Sequence, residues 1–78
     1  MQETYRFTHM LQMGRRVQLF YAPSGVKPIT QVHLDRGPHF TVSSERADEI
    51  QAAAPRGFKN SAFRIVKEYE RTVNLEWT

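Results

Sequence analysis

The sequence predicts a small α+β domain in which one helix packs on an antiparallel β-sheet. Apolar and polar residues alternate with a period of two near both ends of the chain, as in strands that bury one face. One central stretch has instead the spacing and the capping residues of a helix. Because 78 residues suffice for one core only, we expect residues 1–78 to form a single domain.

The first two strands are predicted from the segments TYRFTHMLQM and VQLFY. The apolar face of the first strand is expected to consist of Tyr5, Phe7, His9, Leu11 and Met13. A loop with an odd number of residues keeps the apolar faces of the two strands together, whereas a two-residue turn would set Leu11 opposite Gln18. The odd loop is therefore favoured, with Gly14 available for a positive φ. The expected pairs are Leu11 with Val17, His9 with Leu19, and Phe7 with Tyr21.

A third strand is predicted from the segment PITQVHL, with Val32 and Leu34 facing inward. Pro38, which has no amide hydrogen to donate, ends this strand. The short segment HFTV that follows is expected to be extended.

The helix is predicted from the segment SERADEIQAAA, with Ser43 as its N-cap. Acidic residues lie in its first two turns, where the helix dipole favours negative charge. Its apolar stripe is expected to comprise Ala47, Ile50 and Ala54. A three-turn helix with one large apolar residue is not stable alone, so this helix must pack on the sheet.

The segment FRIVKEYERTVNLEWT alternates over its whole length. As one straight strand it would span about 50 Å, whereas a globule of this size is only about 30 Å across. A hairpin with the loop Glu70-Arg71-Thr72 is one solution, with Tyr69 opposite Val73. However, no Gly, Pro, Asn or Asp occurs between Ser61 and Val73. This absence favours the alternative, a long bent strand that crosses the sheet edge and pairs with a second copy in a homodimer.

Positive charge is concentrated in two parts of the sequence. The net charge is +3, and both the N-terminal half and the segment PRGFKNSAFRIVK are basic. Such residues suit phosphate groups or an acidic protein surface, although surface charge also serves solubility alone. Phe58 is a candidate aromatic anchor, and the alternative is that it packs under the helix end. The predicted partner-binding residues are Arg15, Arg16, Arg56, Phe58, Lys59 and Arg64.

No pattern in the sequence indicates catalysis, a metal or a cofactor. The histidines His9, His33 and His39 lack the spacing of a metal site, and no serine lies in a nucleophile elbow. His33 and Asp35 would share a strand face, which is the one candidate acid–base pair. We therefore expect a protein that is not an enzyme, with no catalytic residues, metal ligands or cofactor.

The remaining composition is that of an ordinary globular protein. No apolar run approaches the ~20 residues of a membrane span, and the N-terminus lacks the pattern of a signal peptide. Without cysteine there is no disulfide or thiolate site. We expect a cytoplasmic protein with no membrane partner.

Two resemblances add to this interpretation. If the last segment forms two strands, the order β-β-β-α-β-β resembles an OB-fold, which implies binding of single-stranded nucleic acid or of a protein on the barrel face. In size, absence of cysteine and lack of catalytic motifs, the chain also resembles the small inhibitors of phages and mobile elements, such as anti-CRISPR proteins. That resemblance implies steric action on a host complex.

The favoured hypothesis is a non-enzymatic binding protein that blocks or modulates a nucleic-acid-handling complex through its basic surface. The partner would be a host protein or ribonucleoprotein. The first alternative is direct binding of single-stranded DNA or RNA by an OB-like module. The second alternative is a small ribonuclease toxin, since such enzymes work from scattered Arg, His and Tyr residues.

Overall fold

Five strands form one antiparallel sheet, and one helix packs against it. A computed structural model describes residues 3–23, 37–69 and 72–78. The elements are β1 (Tyr5–Met13), β2 (Arg16–Pro23), β3 (His39–Ser43), α1 (Ser44–Ala53), a 3₁₀ turn (Phe58–Asn60), β4 (Ala62–Tyr69) and β5 (Thr72–Trp77). The predicted α+β class is confirmed. The predicted third strand PITQVHL lies outside the described residues, whereas the segment HFTV is part of β3.

The sheet has the strand order β3-β2-β1-β4-β5. Its two edge strands, β3 and β5, lie in contact, so the sheet curls toward a barrel. With α1 between β3 and β4, this arrangement is similar to that of an OB-fold, a partly open five-stranded Greek-key barrel. We call the surface of the sheet that packs on α1 the inner face.

The core lies between the inner face and α1. Its buried residues are Phe7, Val17, Leu19, Phe40, Val42, Ala47, Ile50, Phe63 and Val73. Aromatic rings form its centre: the ring of Phe7 stacks on Phe58 at 4.3 Å and on Phe63 at 4.2 Å between centroids. Stacked pairs of this kind stabilise a core beyond the area they bury.

The β1–β2 hairpin closes with a two-residue turn, so the predicted odd-length loop is wrong. Met13 pairs with Arg16, and Leu11 pairs with Gln18. Gly14, with a φ of 63°, occupies the first turn position, where type II′ turns need glycine. A β-bulge between Phe7 and His9 then shifts the register by one residue. Of the three expected pairs, only Phe7 with Tyr21 is present.

The same bulge divides the predicted apolar face of β1. Phe7 lies on the inner face with Tyr21, whereas His9 pairs with Phe20 on the opposite face. On the inner face beyond the bulge lies Met10, whose sulfur accepts a hydrogen bond from Gln51 of α1. Five residues at every second position therefore do not share one face, since the alternation reverses at Thr8.

The C-terminal segment forms the hairpin β4–β5, so the favoured long bent strand is wrong. Tyr69 pairs with Thr72 and Phe63 with Trp77, which differs from the register expected with the loop Glu70-Arg71-Thr72. A second bulge, between Ile65 and Lys67, shifts the register of this hairpin by one residue, as the bulge in β1 does in the first hairpin. β5 is an edge strand of the sheet, and pairing of a second copy along it stays a prediction.

The helix begins as predicted. The side chain of Ser43 accepts a hydrogen bond from the backbone N–H of Arg46 at 3.1 Å, which satisfies one of the free amides of the first turn. Ala47 and Ile50 are buried against the sheet. The third predicted stripe residue, Ala54, follows the last helical residue and is half-buried.

We predict that replacing Phe7 by alanine removes a large share of the stability. Phe7 is 1% exposed and stacks on two rings, so the expected loss is about 3–5 kcal/mol. A chain of this length has only about 4–12 kcal/mol in total. Urea denaturation followed by circular dichroism measures the loss. Met13→Ala on the same strand is the control, because Met13 is 57% exposed; equal losses for both variants would contradict the described packing.

Candidate functional site

The surface of β1, β2 and β3 that faces away from α1 is basic and polar. Strand alternation and the bulge in β1 place side chains of all three strands there. We call this set the outer face: Arg6, His9, Leu11, Met13, Arg16, Gln18, Phe20, Ala22, His39 and Thr41. Strands β1, β2 and β3 contain no carboxylate in any of their described residues. The acidic residues of the structure lie instead on α1, on β4–β5 and at Glu3.

A row of three aromatic rings crosses the outer face. Phe20 pairs with His9 on one side and with His39 on the other. The ring of His9 stacks on Phe20 at 4.3 Å and 10°, and that of His39 lies 4.8 Å from Phe20 at 43°. Phe20 is 0% exposed, whereas His39 is exposed. The imidazole of His39, rather than the phenyl ring of Phe20, is therefore the ring of this row that a ligand can contact.

Each of the two imidazoles is oriented by a polar group close to its Nδ1 atom. The Nδ1–H of His39 donates to the carbonyl oxygen of Gly37 at 3.1 Å, which leaves Nε2 as the acceptor in the neutral ring. The hydroxyl of Thr8, the bulge residue, lies 3.0 Å from Nδ1 of His9. The bulge thus also supplies a group that positions a ring of the outer face.

Arg15 and Arg16 lie at the end of the outer face, where the β1–β2 turn meets the start of α1. The carbonyl oxygen of Arg15 accepts two hydrogen bonds from Ser44, from its backbone N–H at 3.0 Å and from its hydroxyl at 3.1 Å. Gln12 in turn donates to the Ser44 hydroxyl at 3.0 Å. The backbone of the turn is therefore fixed, while both arginine side chains are exposed. Neither forms an ion pair with a described residue.

The other predicted contact residues lie elsewhere. Arg56 and Lys59 are exposed just beyond the C-terminal end of α1, about 15 Å from its start at 1.5 Å per residue. Phe58 between them is half-buried and stacks on Phe7, so this side chain packs on the core. The structure therefore separates the predicted set into two groups at opposite ends of the helix.

Arg64, the last predicted contact residue, belongs to neither group. It lies on β4, and its guanidinium forms an ion pair with Glu76 on the paired strand β5. This pair is partly exposed and contributes little to stability. It does neutralise a charge that the sequence alone left free for a partner.

A cleft of about 400 Å³ lies between β3 and the β4–β5 hairpin, where the two edges of the sheet approach. Its lining residues are His39, Phe40, Thr41, Glu68, Tyr69 and Val73. Glu68 and Val73 form a cross-strand pair and so share one side of the hairpin. The pKa of Tyr21 is raised, first by burial and then by the nearby Glu68 carboxylate. This cleft could not be found from the sequence, because the bulge in β4 determines which side chains face it.

The described residues contain no group of three metal-binding side chains, and His9 and His39 are separated by the ring of Phe20. The candidate pair His33 and Asp35 lies outside the described residues. Among the described helices, none is long and apolar enough to cross a membrane.

Comparisons with known proteins give no family for this chain. No protein-family model matches it, and searches of curated proteins and of solved structures found no match.

Proposed function

We propose that this protein binds single-stranded nucleic acid along its outer face, without catalysis. The observation that carries the proposal is the composition of that face: exposed arginines and the exposed imidazole of His39, on three adjacent strands that contain no described carboxylate. A surface of one sign of charge attracts a polyanion and repels few of its phosphates.

The positions of the cations suit an extended strand of nucleic acid. Arg16 and Arg15 lie at one end of the outer face, and Arg6 lies near the other end of β1. Seven residues of strand separate Arg6 from Met13 at the turn, which corresponds to about 23 Å. This length is compatible with the short end of the range of about 4–16 nucleotides that OB-folds contact.

The centre of the outer face suits bases rather than phosphates. His39 offers an aromatic face for stacking, and Gln18 and Thr41 offer donors and acceptors for base edges. Bases are accessible to such groups only when the strand is unpaired. The mixture of terminal cations and central rings therefore favours a single strand over a duplex.

The arrangement of strands supports the same proposal. In OB-folds, ligands lie on the surface of the second and third strands and contact the loop between the first and second. Here β2 and β3 carry the phenyl–imidazole row, and the β1–β2 turn carries Arg15 and Arg16. The similarity is one of strand order and adds weight only together with the charges.

Removing the positive charges of Arg15 and Arg16 at the β1–β2 turn should weaken binding and reduce the dependence of the affinity on salt concentration. For Arg15→Gln/Arg16→Gln, we expect a loss of affinity for oligothymidine and a slope of log K against log[salt] smaller by about 1.4, since each phosphate contact in a single strand contributes about 0.7. Fluorescence anisotropy at several salt concentrations measures both. The matched control, Arg56→Gln/Lys59→Gln, removes the same charge at the other end of α1 and should leave more of the slope. No binding of the unmodified protein at low salt would refute the proposal.

Removing an imidazole should weaken binding without changing the salt slope. His39→Ala loses a stacking surface, which is worth about 1–3 kcal/mol per base, but removes no phosphate contact. The same anisotropy titrations give affinity and slope together. An unchanged affinity would show that bases do not contact this part of the outer face.

A second candidate function is the one that the sequence favours, steric inhibition of a nucleic-acid-handling complex. The observation in its favour is the pair Arg56 and Lys59, which are exposed and form no ion pair with a described residue. They lie at the opposite end of α1 from Arg15 and Arg16, so they do not form one basic group with these two arginines. A protein partner with an acidic surface would fit them.

An affinity pull-down from a host lysate, with and without nuclease, distinguishes the two functions. Inhibition of a protein complex predicts a captured protein that survives nuclease and is lost with Arg56→Glu/Lys59→Glu. Binding of nucleic acid alone predicts that nuclease removes whatever is captured. Both side chains are exposed, so the fold should persist, and a circular dichroism spectrum checks this.

A further inference from the structure

The cleft between β3 and the β4–β5 hairpin adjoins the outer face. His39 and Thr41 belong to the outer face and also line the cleft. A nucleic-acid strand that follows the outer face would therefore pass the mouth of the cleft at β3. A volume of about 400 Å³ lies in the range of pockets that hold small molecules. One base turned away from the strand has room there.

Among the described residues that line the cleft, Glu68 is the one with a carboxylate. No described residue forms a hydrogen bond or an ion pair with its carboxylate. Its neighbour Lys67 lies over the ring of Tyr69, 4.8 Å from the centroid. This carboxylate repels phosphates and only accepts hydrogen bonds, so it suits a ligand group that donates them.

The other walls of the cleft suit a flat aromatic ring. Tyr69, which is 57% exposed, and His39, which is also exposed, are both lining residues of the cleft. The edge of β3 provides backbone groups as well. The backbone N–H of Tyr21 donates to the carbonyl oxygen of Pro38. In an antiparallel pair, the backbone groups of alternate residues point toward the partner strand. The backbone N–H and C=O of His39 and Thr41 therefore point away from β2, toward the cleft.

We infer that this cleft selects a guanine base, with the Glu68 carboxylate accepting hydrogen bonds from N1–H and the N2 amino group. An ionised carboxylate only accepts. Guanine alone presents two adjacent donors on its Watson–Crick edge, whereas adenine and cytosine present one donor beside an acceptor, and thymine or uracil one donor between two acceptors. A backbone N–H on the edge of β3 would donate to guanine O6. The inference rests on the proposed function, because it assigns base preference to a strand bound on the outer face.

The experiment compares oligonucleotides that differ at one base. Oligothymidines of about twelve nucleotides, within the range of OB-fold sites, carry a single central dG, dA, dC or dT, and anisotropy gives each affinity for the full chain. We expect the dG oligonucleotide to bind about tenfold more tightly than the dT one, since a bidentate pair discriminates by about that factor or more. Glu68→Gln should bring this ratio to about one, because an amide offers one acceptor and one donor.

Asp48→Asn is the matched control. It removes the same charge from the exposed surface of α1 and should raise all four affinities slightly while keeping the dG preference. Circular dichroism checks that both variants fold, as expected for exposed positions. Equal binding of the four oligonucleotides would overturn the guanine inference and leave the proposed function standing. A preference that persists in Glu68→Gln would overturn the role of Glu68. Absence of binding to all four would overturn the proposed function itself.

Discussion

The β-bulge at Thr8 determines which side chains of β1 reach the core and which reach the outer face. Before it, Tyr5 and Phe7 lie on the inner face with the aromatic core; after it, His9 lies on the outer face beside Phe20. The two-residue turn at Gly14 would alone put the apolar residues of β1 opposite the polar side of β2. The bulge reconciles this tight turn with a continuous core, at the cost of one residue left out of the pairing.

The second hairpin solves the same problem in the same way, and this explains how the charges are sorted. Its bulge between Ile65 and Lys67 lets Phe63 and Val73 share the core while Glu68 pairs with Val73 at the cleft. The carboxylates of the described structure thus lie on α1, on the β4–β5 hairpin and at Glu3, and none of them belongs to β1, β2 or β3. The cationic character of the outer face follows from this separation, since the net charge of the whole chain is only +3.

The sequence predicts the class of fold well because that class depends on local patterns. The alternation in VQLFY, the N-cap Ser43 and the apolar Ile50 each act within a few residues of chain. Register is different, because a bulge leaves no signature in the alternation itself: His9 and Leu11 continue the apolar pattern of Phe7 although they face the other way. The absence of Gly, Pro, Asn or Asp between Ser61 and Val73 likewise favours a bent strand, but the pairing of β4 with β5 outweighs this turn preference. At both positions, pairing between strands determines the structure in spite of the local conformational preferences of the residues.

The predicted contact residues differ in how firmly the backbone holds them. Arg15 and Arg16 are held by two hydrogen bonds from Ser44 to a turn carbonyl, so their guanidinium groups extend from a rigid base. Arg64 also lies in a basic part of the sequence, between Lys59 and Lys67, yet Glu76 on the adjacent strand neutralises it. Whether a basic residue is available to a ligand is thus decided by its cross-strand neighbour. The strand register determines which residue is that cross-strand neighbour. The bulges that set the register therefore determine both which side chains enter the core and which cations a nucleic-acid strand could contact.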